Sequence, residues 1–250
     1  MTLILEHVRA AALWQLVAWS LALNVVLFVA SVALGELAVR LLARRRCCQP
    51  AAAVTGKEMA LSATCVVLNA GVTVVGALLY QRGWIVVLTE FPLWRAVLDF
   101  VVLFFVMDLA MYLLHRVAHH RSIYPWVHRT HHDYENPRPL TLFVLNPFEV
   151  LGFGGLWLIV LLAYPVTWLG MTAYLALNLA FGTIGHLGVE PFPRDWASGP
   201  LGWIATSSFH AGHHGDRDHN YGFYTLLWDR LFGTAAALES ACRAELSKPD

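Results

Sequence analysis

An all-α integral membrane bundle of four to five transmembrane helices, capped on its cytoplasmic side by histidine-rich loops, is the fold this sequence predicts. Three observations carry that expectation. The 250 residues are 58% hydrophobic and only 14% charged, with a mean hydropathy of +0.55, too apolar for an ordinary soluble domain. Several stretches run without a charge for the roughly 20 residues that a spanning helix needs. Eleven of the twelve histidines fall between His115 and His219.

The first charge-free stretch covers residues 10–35, between Arg9 and Glu36, and the second covers 59–81, between Glu58 and Arg82. The first is too long for the core of a cleaved signal peptide and no small-residue cleavage site precedes Arg40, so it is expected to persist as a span. A third span, about residues 95–114, carries Asp99 and Asp108, and carboxylates at such depth are expected to be paired or functional. Residues 150–189 hold one charge-free run of forty; as a single helix it would be about 60 Å long, about twice the hydrocarbon thickness, so it must turn. "AYPVTW" at 163–168 supplies the proline and interfacial aromatics for that turn, giving spans near 148–164 and 168–187. The total is five crossings, or four if one segment is re-entrant.

Orientation follows from basic residues in short loops. "RLLARRR" at 40–46 together with Lys57 places the loop after the first span in the cytoplasm. Alternation then puts residues 115–147 and the tail from 188 on that same face. His7 lies alone on the opposite side.

The remaining histidines therefore collect on one face. "HRVAHH" contributes His115, His119 and His120, "HRTHH" contributes His128, His131 and His132, His186 closes the last span, and "HAGHH" contributes His210, His213 and His214. Residues three and four apart share a helix face, so each HxxHH aims its imidazoles one way. The combined nitrogen donors exceed what one metal ion takes, which points to a metal-binding cap with two metals; a structural or catalytic zinc would leave most of them without a purpose. Tags and low-complexity tracts are contiguous, whereas these clusters are separated by spans and repeat one register. His219 lies outside that register, and its ligation stays open.

The series HxxxH(H), HxxHH, HxxHH resembles the fatty acid hydroxylase and sterol desaturase superfamily of membrane di-iron oxygenases. "HNYGFYTLLWDRLFGT" at 219–234, "DLAMYLLHRVAHH" at 108–120 and "LTLFVLNPFE" at 140–149 are similar to its other signatures. Asn146 stands where many relatives carry histidine, so that position is not expected to bind metal. The resemblance covers about residues 95–235 and divides the chain into two N-terminal spans with a basic loop (1–90), a di-metal catalytic domain (91–235) and a tail (236–250).

What the resemblance implies is two iron ions held by His115, His119 or His120, His128, His131, His132, His186, His210, His213 and His214, with O2 as co-substrate. The adjacent pair His119 and His120 satisfies both spacings found in the superfamily. The implied activity is hydroxylation or desaturation of a lipid, a fatty acyl chain or sterol-like molecule, with hydrogen drawn from an unactivated C–H bond. Iron fits because it binds imidazole and cycles redox states. Asp108, seven residues before His115, is expected to accept the free N–H of a ligand imidazole, whereas Asp133, Asp216 and Asp218 read as loop surface. Asp229 and Arg230 are expected to form a buried pair that locks the tail.

Other classes are weaker. A metal transporter or sensor would place its ligands near mid-membrane on broken helices, and a membrane zinc hydrolase would need an HExxH-type glutamate that the chain lacks. The "GFGG" at 152–155 sits inside a span and suits close helix packing rather than nucleotide binding. Flavin, nicotinamide and haem-carrier fingerprints are absent, so electrons are expected from a separate donor protein. Zero net charge gives no sign of a nucleic-acid partner. The four cysteines, Cys47, Cys48, Cys65 and Cys242, lack CxxC spacing and read as structural.

Overall fold

The computed structural model describes residues 2–193 and 196–236; Cys242 and the rest of the tail lie outside them. A short helix α1 (Thr2–Ala10) leads into α2 (Leu13–Leu41), α3 (Gly56–Gln81) and α4 (Leu93–Ala118). After two single-turn helices, α5 (Tyr124–Val127) and α6 (Arg129–His132), come α7 (Pro147–Ala163) and α8 (Trp168–Gly185), then α9 (Ser207–Gly215) and α10 (Leu227–Phe232). Two-residue strands β1 (Val87–Leu88) and β2 (Val166–Thr167) pair in parallel.

The helices α2, α3 and α4 are long and apolar enough to cross a membrane. By contrast α7, of 17 residues, and α8, of 18, rise about 25 and 27 Å, slightly less than the usual hydrocarbon thickness of about 30 Å. The turn falls where the proline predicts: α7 ends at Ala163, and Thr167 caps α8 by accepting the amide of Gly170. On α2, Val17, Trp19, Leu23, Val26 and Leu34 are exposed, a continuous apolar surface that a water-soluble monomer would rarely tolerate.

Small residues let the bundle close. A Cβ on Gly154 would approach Val72 to 2.6 Å, and one on Gly170 would approach Asp99 Cβ to 2.7 Å, so these glycines set the α7–α3 and α8–α4 distances. The "GFGG" segment thus serves packing.

Charges in the bundle are tied to backbone that must be held. Asp99, fully buried, accepts from Arg95 Nε, the Tyr164 hydroxyl and the Thr167 amide, each at 2.7 Å. It pins the α7–α8 turn to the start of α4. That turn shares its end of the bundle with the α3–α4 connection through the β1–β2 ladder. Connections 42–55, 119–146 and 186–226 gather at the other end. There the Cys47 amide donates to the Gly188 carbonyl at 3.2 Å, and Arg138 pairs with the buried Glu58. Cys47 and Cys48 are buried, in keeping with a structural reading.

Two expectations about the tail are corrected. Asp108 touches no imidazole: among the described residues its carboxylate accepts from the Tyr224 and Thr225 amides (3.0 and 3.2 Å), the Thr225 hydroxyl (2.5 Å) and Trp228 Nε1 (3.0 Å). Seven residues before His115, it lies on nearly the same face of α4 but about 10 Å deeper along the axis, where it meets the returning chain instead of an imidazole. Asp229 and Arg230 do not pair with each other. Buried Asp229 accepts the Tyr221 and Gly222 amides and the Thr234 hydroxyl, while exposed Arg230 donates to the Gly202 carbonyl. Gly222 is required there, because a Cβ would lie 2.3 Å from the Thr225 oxygen.

Candidate metal centre

Each histidine is delivered by a local feature that its sequence dictates. His115 lies in the last turn of α4 and His119 caps it, so an i, i+4 pair leaves the bundle on one side. Pro125 starts α5, and the break between α5 and α6 falls at His128. His186 caps α8 and its Nδ1 donates to the Gly182 carbonyl at 2.8 Å. Thr206 caps α9 by accepting the Phe209 amide, which orients the helix that bears His210, His213 and His214.

These segments converge into two adjoining groups. His115, His119, His128, His132 and His213 form one; His131, His186, His210 and His214 form the other. Within each group the candidate ligand atoms lie within 4.8 Å of one another. All are buried except His119, which is half-buried. The groups touch, with the His132 and His214 rings 5.1 Å apart and the His128 and His131 rings 5.3 Å apart. His120, expected as a possible ligand, stays outside: it is exposed on the turn after α4. His219 also stays outside, with Nδ1 2.8 Å from Asp216 and its carbonyl accepting from His213 Nδ1.

The split departs from the expectation that each HxxHH serves one face. In α9 neighbouring residues are about 100° apart around the axis, so His210 and His214 enter one group and His213 the other. His128 and His132 likewise part from His131.

The protonation pattern can be worked out from partners that cannot donate. His115 Nδ1 bonds the Tyr221 carbonyl (2.8 Å), His131 Nδ1 that of Val144 (3.3 Å) and His213 Nδ1 that of His219 (2.6 Å). With His186 bonded to Gly182, four rings carry their proton on Nδ1 and present a bare Nε2 lone pair. His131 Nε2 and His186 Nε2 then face each other at 3.3 Å with no proton between them, a repulsive arrangement that a cation relieves. Buried His119 Nε2, His132 Nδ1 and both nitrogens of His214 have no hydrogen-bond partner among the described residues. Burial also pushes the imidazoles of His128, His131, His132, His210, His213 and His214 well below their usual range, keeping them neutral. Neutral, convergent and otherwise unsatisfied nitrogens fit a pair of transition-metal ions.

Sequence reasoning missed the carboxylate that stands against a ring. Buried Glu149, in the first turn of α7, has Oε1 2.7 Å from His128 Nδ1. The signal was present in "NPFE", quoted above for its likeness alone. Asn146 does not join the groups; it caps α7 through the Phe148 amide.

A cavity of about 200 Å³ opens from this centre into the bundle. His115, His131 and His186 form part of its polar side, and Met111, Phe153 and Phe223 part of its apolar side. Such a chamber takes one ring or a short chain segment; engineered apolar cavities of about 150 Å³ bind benzene.

A family model, Fatty acid hydroxylase, matches residues 100–234. The chain is 32% identical over 153 residues to a lathosterol oxidase of Homo sapiens, covering 59% of this chain and 48% of that protein. It is 32% identical over 126 residues to a methylsterol monooxygenase 1 of Danio rerio (49% and 42%). A Delta(7)-sterol 5(6)-desaturase of Leptosphaeria maculans is 28% identical over 127 residues (51% and 34%). The chain thus spans less than half the length of these curated relatives. No solved structure matches it.

Proposed function

Because this chain belongs to the fatty acid hydroxylase family, we propose that it is an integral membrane oxygenase that uses O2 and external electrons to hydroxylate or desaturate a lipid. The observation that carries this reading is the pair of buried, neutral histidine groups opening onto an apolar cavity among helices long enough to span a bilayer. One iron ion would be held by each group. Iron ligated by neutral imidazoles supplies the redox cycling needed to activate O2 against an unactivated C–H bond.

The protein's own groups do the positioning. Carbonyls of Tyr221, Val144, Gly182 and His219 hold the Nδ1 protons of four rings and aim their Nε2 atoms inward. Glu149, with Oε1 2.7 Å from His128 Nδ1, stands against that ring and fixes its position. The apolar wall excludes water and guides a lipid segment, one ring or a short length of chain, to the histidines. Electrons arrive from a separate carrier protein at the loop end of the bundle.

The purified protein should contain two irons per chain and convert a lipid only when O2 and an electron source are supplied. Zinc in their place with no oxidised lipid would favour the hydrolase reading instead. We place the metal end in the cytoplasm on the strength of the basic 40–46 loop. A Ser122→Cys variant should accordingly react with an impermeant thiol reagent in inverted vesicles only; labelling of intact cells would reverse the orientation.

A further inference from the structure

The buried phenol of Tyr112 lies outside both the histidine groups and the cavity. On α4 it precedes His115 by three residues, just under one turn. Its ring stands 6.3 Å from that of Tyr221, edge to face, and Tyr221 lies 5.1 Å from His119, 5.6 Å from His213 and 5.7 Å from His115. On its other side Tyr112 stacks on Phe232 at 5.5 Å, and Phe232 is 45% exposed. All these separations fall within the roughly 4.5–7 Å at which aromatic rings touch. A continuous file of rings therefore runs from the group of five imidazoles to the surface at α10.

The Tyr112 hydroxyl reaches a carboxylate through one intermediary. Two amides and the Thr234 hydroxyl converge on buried Asp229, the hydroxyl at 2.7 Å. With its own proton given to Asp229, the Thr234 oxygen, 3.0 Å from the Tyr112 hydroxyl, accepts the phenol proton. Arg116 Nη1 donates to the same phenol oxygen at 3.4 Å and so does not compete for that proton. Both links lie within about 2.6–3.2 Å, the reach of a proton transfer, and burial pushes the pKa of Asp229 up from the usual carboxylate range, which suits a proton acceptor. A phenol gives up an electron readily only if its proton leaves with it. That condition singles out Tyr112. Tyr124, 5.3 Å from His119, and Tyr221 have hydroxyls with no carboxylate acceptor among the described residues; Tyr164 has one in Asp99, but at the opposite end of the bundle.

We propose that Tyr112 is a redox-active residue: it gives one electron, through the Tyr221 ring, to the metal centre once O2 has oxidised that centre, and releases its phenol proton to Thr234 as Thr234 passes its own to Asp229. This rests on the oxygenase reading, which supplies the oxidant. The step balances, because the centre gains one electron, Tyr112 becomes a neutral phenoxyl radical and Asp229 becomes a neutral acid. Re-reduction draws an electron from the carrier protein at the surface formed by Phe232 and exposed Arg116, 5.9 Å over its ring, and the proton returns along the same bonds. Such an outlet matters when no C–H bond occupies the cavity, since the oxidising equivalent then leaves the centre before it attacks the ligand imidazoles.

The test uses iron-loaded full-length protein in detergent, reduced with dithionite, mixed with O2 in the absence of lipid and freeze-quenched. Electron paramagnetic resonance should show an organic radical whose hyperfine splitting collapses when the protein carries ring-deuterated tyrosine. Tyr112→Phe keeps the file of rings and should lose that signal, while iron content and the oxidation of iron by O2, followed by Mössbauer spectroscopy, match wild type. Thr234→Val leaves the phenol in place but breaks the proton route, and should lose most of the signal; it decides the matter if Tyr112→Phe fails to fold. A radical undiminished in either variant, or a wild type whose iron is oxidised without a tyrosyl signal, overturns the proposal and leaves the oxygenase reading standing. Iron that O2 does not oxidise sinks the oxygenase reading, and this proposal falls with it.

Discussion

Replacing His131 or His186 with alanine is expected to leave about one iron per chain and to lower lipid turnover by more than about 10³-fold, because both belong to the group of only four imidazoles and a four-ligand site has none to spare. His213→Ala, taken from the group of five, should lose turnover comparably while retaining more metal. His119→Ala should show the smallest iron loss, since its half-buried ring leaves four others in place. Glu149→Gln keeps the ring nitrogens but replaces the carboxyl group that stands against His128 by an amide, and should weaken iron binding by something like 10 to 100-fold. His7→Ala, His120→Ala and His219→Ala should match wild type. Iron content by elemental analysis and lipid product by mass spectrometry measure both effects, and full metal with full turnover in His131→Ala would remove the ligand assignment.

Asp108→Ala should act on the fold before it acts on the metal. It deletes a buried acceptor and strands two amides, a hydroxyl and an indole N–H, a loss on the order of 3–5 kcal/mol. Asp108→Asn retains one carbonyl oxygen but turns an NH2 toward donors, so about half that loss is expected. Thermal unfolding in detergent should show a lower midpoint for both variants in metal-free protein. Wild-type unfolding combined with weakened iron binding would instead mean that Asp108 acts on a ligand ring, which the geometry does not provide for.

The difference between the expected and observed roles of Asp108 shows where sequence reasoning stops. Its depth in a span was legible, and so was the need for a partner, because a carboxylate among apolar residues cannot be left unsatisfied. Its partners lie more than a hundred residues away in the returning tail, and no local periodicity points to them. Glu149 shows the converse. Its motif was visible, but its contact with His128 depends on how the first turn of α7 packs beneath the α5–α6 break.

By itself the sequence determined the long apolar helices, the proline turn at 163–168, the collection of histidines at one end and the family, all of which follow from hydropathy, spacing and local motifs. The tertiary structure decided how the imidazoles divide into five and four, that His119 rather than His120 points inward, and which carbonyls fix each ring's proton. The physical reason is the same throughout: spacing fixes the face of one helix on which a side chain lies, but which atoms meet across helices is set by the distances and rotations at which those helices pack.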